Sequence, residues 1–246
     1  LKDLVAYITA GFEDENFTLD LIESLKASGV DKIELGIPFS DPVADGPVIE
    51  KANQIALQRG FKLQKLFDLS TKSSQIIDTY WMGYFNSFYS KGFKKISQIA
   101  SQSGVKGFII PDLPYEEALQ YAPIFAQNSL INITFVAPTD SKERIKAVVK
   151  NSDGFIYLVS YTGVTGSGIA TPLDEIIKNV KEFSNTPLYV GFGVNEKTAK
   201  EKAKGVDGVI VGSAFVEVLL DDGLTKTQKI DKISSQAKNI KSIINE

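Results

Sequence analysis

Along the chain, short runs of β-branched and aromatic residues alternate with longer stretches whose apolar positions recur at three- and four-residue spacing. That is the pattern of strands alternating with amphipathic helices. Strands are predicted at residues 5–9, 32–36, 79–84, 107–112, 131–136, 155–159, 187–191 and 208–211, each followed by a loop and a helical segment. Most of these runs are apolar on both faces, as expected where helices cover both sides of a sheet. Strand–helix alternation implies parallel pairing through right-handed crossovers. One turn recurs: Ser28-Gly29-Val30-Asp31, Ser103-Gly104-Val105-Lys106 and Lys204-Gly205-Val206-Asp207 each lead from a helical segment into a strand. A glycine just past a helix end suits the left-handed C′ position, and the following valine starts the next strand. Nothing resembles an interdomain linker or a low-complexity tract. The expected fold is therefore α/β, a (β/α)8 TIM barrel, as a single domain over residues 1–246. An open doubly wound sheet is the competing arrangement; glycine loops late in the chain favour the barrel.

Composition narrows the chemistry. The 246 residues are 43% hydrophobic, enough for a sizeable core, and a net charge of −3 with scattered Lys and Arg points away from nucleic acid and anionic membrane. There is no cysteine, so disulfides, thiolate metal sites and cysteine nucleophiles are excluded. There is also no histidine, which removes the usual general base, the Ser-His triad and the commonest metal ligand together. Acid–base work must fall to carboxylates, tyrosines, lysines or water. No apolar run approaches the ~18 residues of a membrane span, and the opening LKDLVAYITA is too short for a secretory segment. The sequence starts at Leu1, so an initiator Met is expected to be missing, and a cytoplasmic location is expected.

The densest stretch runs Glu34-Leu35-Gly36-Ile37-Pro38-Phe39-Ser40-Asp41-Pro42-Val43-Ala44-Asp45-Gly46-Pro47. Glu34 interrupts an apolar strand, and the period of two sets it opposite Ile33 and Leu35. If those two face the helices, Glu34 points into the barrel, where burial would raise its pKa and fit it for proton transfer near neutrality. An ion pair with Lys32, two residues back on the same face, is the competing structural role. Asp45 is either the cap of a helix starting near Pro47 or a second functional carboxylate. Asp41, before Pro42, reads as a turn former.

Three glycine loops follow late strands: Gly163-Val164-Thr165-Gly166-Ser167-Gly168, Gly191-Phe192-Gly193 and Gly212-Ser213. Glycine lets backbone N–H groups approach a phosphate, and a helix start adds favourable dipole. Each loop alone is an ordinary βα turn. Three at one barrel end point to a phosphate site, which barrels often build after their seventh and eighth strands. The spacing does not fit a dinucleotide fingerprint. Tyr7, Met82, Tyr84, Ile109 and Phe192 stand near strand ends, where they are either core or the walls of an apolar binding space.

The run from Glu34 to Pro47 closely resembles the hallmark segment of tryptophan synthase α subunits, and chain length, strand spacing and later loops match as well. The resemblance implies a lyase that cleaves indole-3-glycerol phosphate to indole and glyceraldehyde 3-phosphate. Glu34 and Asp45 fall on the family's catalytic positions. Gly166, Gly193, Gly212 and Ser213 fall on its phosphate-binding positions, and Thr165 on a threonine that engages the catalytic aspartate. Tyr157 matches a tyrosine beside the catalytic glutamate, though a core role fits it equally, and Tyr84 and Phe192 move up as substrate contacts. Tyr161 stands where some relatives carry Arg. The resemblance further implies no cofactor in this chain and a β-subunit partner that carries pyridoxal phosphate, in an α2β2 assembly. Pro38, Asp41, Pro42, Asp112 and Pro114 resemble positions facing that partner, or they simply stiffen loops.

Two other functions compete. A chain acting chiefly as an allosteric partner of β would not need Glu34 and Asp45 intact. The other is a different phosphate-binding barrel, an aldolase or a sugar-phosphate isomerase. A Schiff-base aldolase needs an interior lysine at a strand end, whereas the only strand lysine, Lys32, lies at the N-terminal end of its strand. A metal-dependent aldolase would normally use histidine ligands, of which there are none.

Overall fold

The computed structural model describes residues 1–159 and 173–246. Its strands are β1 (Asp3–Thr9), β2 (Lys32–Gly36), β3 (Asp78–Met82), β4 (Gly107–Ile109), β5 (Ile131–Asn132), β6 (Thr134–Val136), β7 (Ile156–Val159), β8 (Leu188–Gly191) and β9 (Gly208–Val211). They hydrogen-bond in the order β5-β4-β3-β2-β1-β9-β8-β7-β6, and every pairing is parallel. The two ends of that order, β5 and β6, are separated in the chain by Ile133 alone. The sheet is thus a nearly closed (β/α)8-type barrel, and the doubly wound alternative falls away.

One departure from the expected strand set lies at 131–136. This run is interrupted at Ile133 rather than continuous, because its first half pairs with β4 and its second with β7. Ile133 donates its N–H to Phe108 O at 2.9 Å, the last bond to the β4 side before the strand changes neighbour. Strand β4 is shorter than predicted. Pro111 carries no N–H, and Leu113 N turns back to Ile110 O at 3.2 Å.

Local chemistry explains the helices. Asp14 caps Glu15–Ala27 by accepting from Phe17 N, Ser141 caps Lys142–Val149 through Arg144 N, and Thr225 and Gln228 form a reciprocal capping box before Lys226–Ile243. The repeated turn behaves as read. Gly29, Gly104 and Gly205 all have positive φ, and after the first two Val30 N and Val105 N reach back to Leu25 O and Ala100 O. Among the described residues, no helix is long and apolar enough to cross a membrane.

Two cores result. The larger lies between barrel and helices; the smaller fills the lumen with Val5, Tyr80, Ile109, Ile133, Phe155, Tyr157, Tyr189 and Ile210. Large rings fit in the lumen because facing positions are glycine. A Cβ on Gly36 would lie 2.2 Å from the Tyr7 hydroxyl, one on Gly191 2.3 Å from that of Tyr157, and one on Gly208 2.7 Å from the Tyr189 ring. At the N-terminal end of the barrel, Asp3 accepts from Lys32 Nζ and from the Tyr189 hydroxyl.

Gly107 tests the closure. A Cβ there would sit 2.1 Å from Ile131 O, a backbone atom of the neighbouring strand that cannot rotate aside. Gly107→Ala is expected to lower stability by about 2 kcal/mol or more. Urea denaturation would show this as a lower midpoint at unchanged slope, and an unchanged midpoint would mean that β4 and β5 are not held this closely.

Candidate functional site at the C-terminal mouth of the barrel

Glu34 lies in β2 beside Tyr7 of β1 and Tyr80 of β3 in register, with Ile33 and Leu35 buried toward the helices. It is 2% exposed. The competing ion pair does not form, because Lys32 Nζ bonds Asp3 Oδ2 at 2.5 Å, toward the other end of the barrel. Glu34 Oε1 is left buried without a hydrogen-bond partner among the described residues. Burial, and then the charge of Asp45, push the Glu34 carboxyl up to about 8.

Asp45 comes from the loop between β2 and the helix Pro47–Gln58. It is not that helix's cap. Gly46 holds the cap position without any side-chain bond, and Pro47 opens the helix as its first residue. The loop is fastened from inside by Asp45 N to Pro42 O at 2.9 Å. It is fastened from β3's side by Tyr84, whose hydroxyl accepts Ala44 N–H at 3.0 Å and whose ring stacks on Phe39. Burial raises the Asp45 carboxyl to about 6 against hydrogen bonds from Tyr84 and Asn53, which pull it down. Its Oδ2 is buried and unpartnered among the described residues. Two carboxyl groups with different ordinary states near neutrality therefore face one space, Glu34 holding its proton and Asp45 having lost it.

That space is a cavity of about 470 Å3 whose lining includes Glu34, Asp45, Tyr7, Met82, Tyr157 and Phe192. Gly193 and Gly212 to Ala214 line it as well. Tyr157 is 8% exposed and stacks on Phe135 with ring centroids 4.9 Å apart, while Phe192 meets its ring edge-on. Burial raises the Tyr157 hydroxyl well above its ordinary value, with Glu34 and Asp45 adding to the effect. Phe192 and Gly193 both adopt positive φ, 71° and 69°. For Phe192 this is a strained conformation of the kind that persists where the surroundings enforce it. Gly212 directly precedes the helix Ser213–Leu219, whose first N–H groups have no partner within the helix. A Cβ on Gly212 would meet Ile49 at 3.3 Å.

Of the residues singled out from sequence, Glu34, Asp45, Tyr157, Phe192, Gly193, Gly212 and Ser213 line this one cavity. Tyr84 stands behind Asp45 instead of lining the space. Ile109 lies deeper, in the lumen core. Tyr161, Thr165 and Gly166 lie outside the described residues. Among the partner-facing candidates, Asp41, Asp112 and Pro114 are exposed, whereas Pro38 and Pro42 are buried within the chain, and Asp112 Oδ1 accepts from Phe85 N at 2.7 Å. Among the described residues, no group of three or more potential ligands is placed to hold a metal.

Sequence reading missed Asn53, 1% exposed and bonded to Asp45, and it missed Lys197 and Gln236, which also line the cavity. Asn53 carried one legible signal, an amide on the small-residue stripe of Ala52 and Ala56. Lys197 and Gln236 carried none, since both fall among ordinary surface charges.

Comparisons with known proteins bear on the family and the fold. The family model described as tryptophan synthase alpha chain matches residues 1–245. The tryptophan synthase alpha chain of Wolinella succinogenes is 54% identical over 246 residues, covering 100% of this chain and 96% of that one. That of Petrotoga mobilis is 39% identical, covering 98% and 95%. Among solved structures, tryptophan synthase from M. tuberculosis superposes with a TM-score of 0.87 at 30% identity, covering 100% of this chain and 93% of that chain. Tryptophan synthase subunit alpha from Legionella pneumophila gives 0.86 at 31%, covering 99% and 93%. The chain belongs to the tryptophan synthase alpha chain family.

Proposed function

We propose that this chain is a carbon–carbon lyase that cleaves indole-3-glycerol phosphate to indole and glyceraldehyde 3-phosphate, within a single domain and without a cofactor of its own. The observation that carries this reading is the pair of buried carboxyl oxygens on Glu34 and Asp45, unpartnered among the described residues, which share a cavity with Gly193, Gly212 and Ser213, the backbone we assign to the phosphate. The family assignment supports the same activity.

In this mechanism the protonated Glu34 carboxyl delivers a proton to C3 of the indole ring. Positive charge then develops toward N1–H, which the Asp45 carboxylate holds by a charge-assisted hydrogen bond. Glu34, now ionised, takes the proton from the hydroxyl on the glyceryl carbon attached to C3. That carbon becomes the aldehyde carbonyl as the carbon–carbon bond breaks, and the bonding pair returns to the ring to give indole. Tyr157, Phe192 and Met82 wall the ring, Tyr84 holds the Asp45 loop, and backbone N–H groups at Gly193, Gly212 and Ser213 hold the phosphate. Thr165 and Gly166 contribute by family position only. The exposed face around Asp41, Asp112 and Pro114 is the side we assign to a β-subunit partner carrying pyridoxal phosphate, to which indole passes. That the solved relative from M. tuberculosis is described as tryptophan synthase supports this partner.

Glu34→Gln should reduce indole release to background while glycerol 3-phosphate still binds; near-normal turnover would remove Glu34 from the chemistry. With Asp45 near 6 and Glu34 near 8, kcat/KM should rise through the first value and fall through the second. Tyr84→Phe takes away a bond that favours the Asp45 carboxylate, so the acidic limb should move to higher pH; a fixed limb would uncouple Tyr84 from Asp45. Linkage gives a separate check. Because the folded state raises the Glu34 pKa, the stabilisation is full below the ordinary 4.5 and is lost as pH climbs to about 8. The melting temperature of Glu34→Gln should therefore exceed that of the parent at pH 8, by a margin that closes toward acid pH.

A further inference from the structure

Beyond the backbone cradle, Lys197 and Gln236 are two side chains of the cavity lining that nothing above employs. Lys197 is the only lysine or arginine among its described lining residues, against the carboxyl groups of Glu34, Asp45, Glu196 and Glu217, of which Glu34 keeps its proton near neutrality. Residues 160–172 contain no charged side chain, so no second cation comes from that segment. Lys197 is not committed elsewhere: no hydrogen bond or ion pair of its ammonium group occurs among the described residues, and the neighbouring Glu196 carboxylate accepts from Asn239 Nδ2 at 2.7 Å.

The turn that carries Lys197 is built to the same standard as the cradle. Asn195 Oδ1 accepts from Lys197 N at 2.9 Å and Thr198 N at 3.2 Å. Thr198 Oγ1 donates to Gly193 O at 2.6 Å and accepts from Asn195 N at 3.0 Å. The Thr198 hydroxyl thus ties Asn195, whose side chain holds the Lys197 N–H, to the peptide of Gly193. Gln236 of the C-terminal helix Lys226–Ile243 also lines the cavity, with its Oε1 buried and unpartnered among the described residues. A half-turn of that amide presents its NH2 group instead, a donor suited to an anionic oxygen. Without an anion, a buried amide with no partner is costly.

We infer that Lys197 and Gln236 form the side-chain half of an anion clamp that closes on the phosphoryl group held by Gly193, Gly212 and Ser213. This rests on the proposed substrate's phosphate lying at that end of the cavity. Backbone amides alone orient a phosphate; a lysine adds full charge, which offsets the carboxylates around the mouth and makes binding depend on salt.

The test uses the full chain and its Lys197→Gln, Lys197→Glu and Gln236→Leu variants, with glycerol 3-phosphate and indole as separate probes in calorimetry, followed by steady-state cleavage. Lys197→Glu should weaken glycerol 3-phosphate about tenfold or more, with Lys197→Gln intermediate, and flatten the salt dependence. Gln236→Leu should weaken the same probe severalfold. Indole affinity should not change in any variant, and the loss should fall on KM more than on kcat. If the parent binds glycerol 3-phosphate and all three variants bind it equally well, the clamp is wrong and the cradle stands alone. If the parent does not bind it, the proposed phosphate end fails and the clamp fails with it.

Discussion

The structure depends on keeping one carboxyl group dry without giving it a counter-ion. Glu34 is buried among lumen side chains, and Lys32, the cation two residues back in its strand, is spent on Asp3 at the opposite end of the barrel. An ionised carboxylate in such a place is expensive, so the group keeps its proton near neutral pH. Tyrosines make this environment possible. Tyr7 and Tyr157 lie over Gly36 and Gly191, so bulky rings fill the lumen where any Cβ would collide. The glycines are therefore as necessary to the acid as the apolar walls are.

The second carboxylate is held differently. Glu34 rides on a paired strand, whereas Asp45 sits at the end of a loop whose position is borrowed from β3 and from the next helix. Tyr84 contributes a ring to Phe39 and a hydroxyl to Ala44 N, and Asn53 reaches Asp45 from the helix Pro47–Gln58. Polar neighbours lower one pKa while burial raises both, and this separates two chemically similar groups into a donor and an anion.

Strand order places these groups usefully. Along the barrel, β2 is followed by β1, β9 and β8, so Tyr7 stands between the carboxyl groups and the glycines of the last two strands. An elongated molecule with a flat ring at one end and a phosphate at the other suits that span. The strained Phe192 joins both ends, since its ring meets Tyr157 while the peptide that follows it belongs to Gly193. The turn of Asn195 and Thr198 then fixes Gly193 from outside the barrel.

The alternation of strands and helices, the left-handed glycines at 29, 104 and 205, and the Glu34-to-Pro47 motif were all legible in the linear order of residues. Each depends on local periodicity or on a conformation that one residue type favours, and neighbours in sequence determine such features. The break at Ile133 was not legible, because it arises where one strand must pair with two partners that lie far away in the chain. The choice between ion pair and free acid for Glu34, and between cap and free carboxylate for Asp45, also waited for the fold. Those outcomes turned on where Lys32 and Gly46 came to rest. Lys197 and Gln236 meet the same cavity from segments about forty residues apart, a convergence that only closed tertiary packing creates.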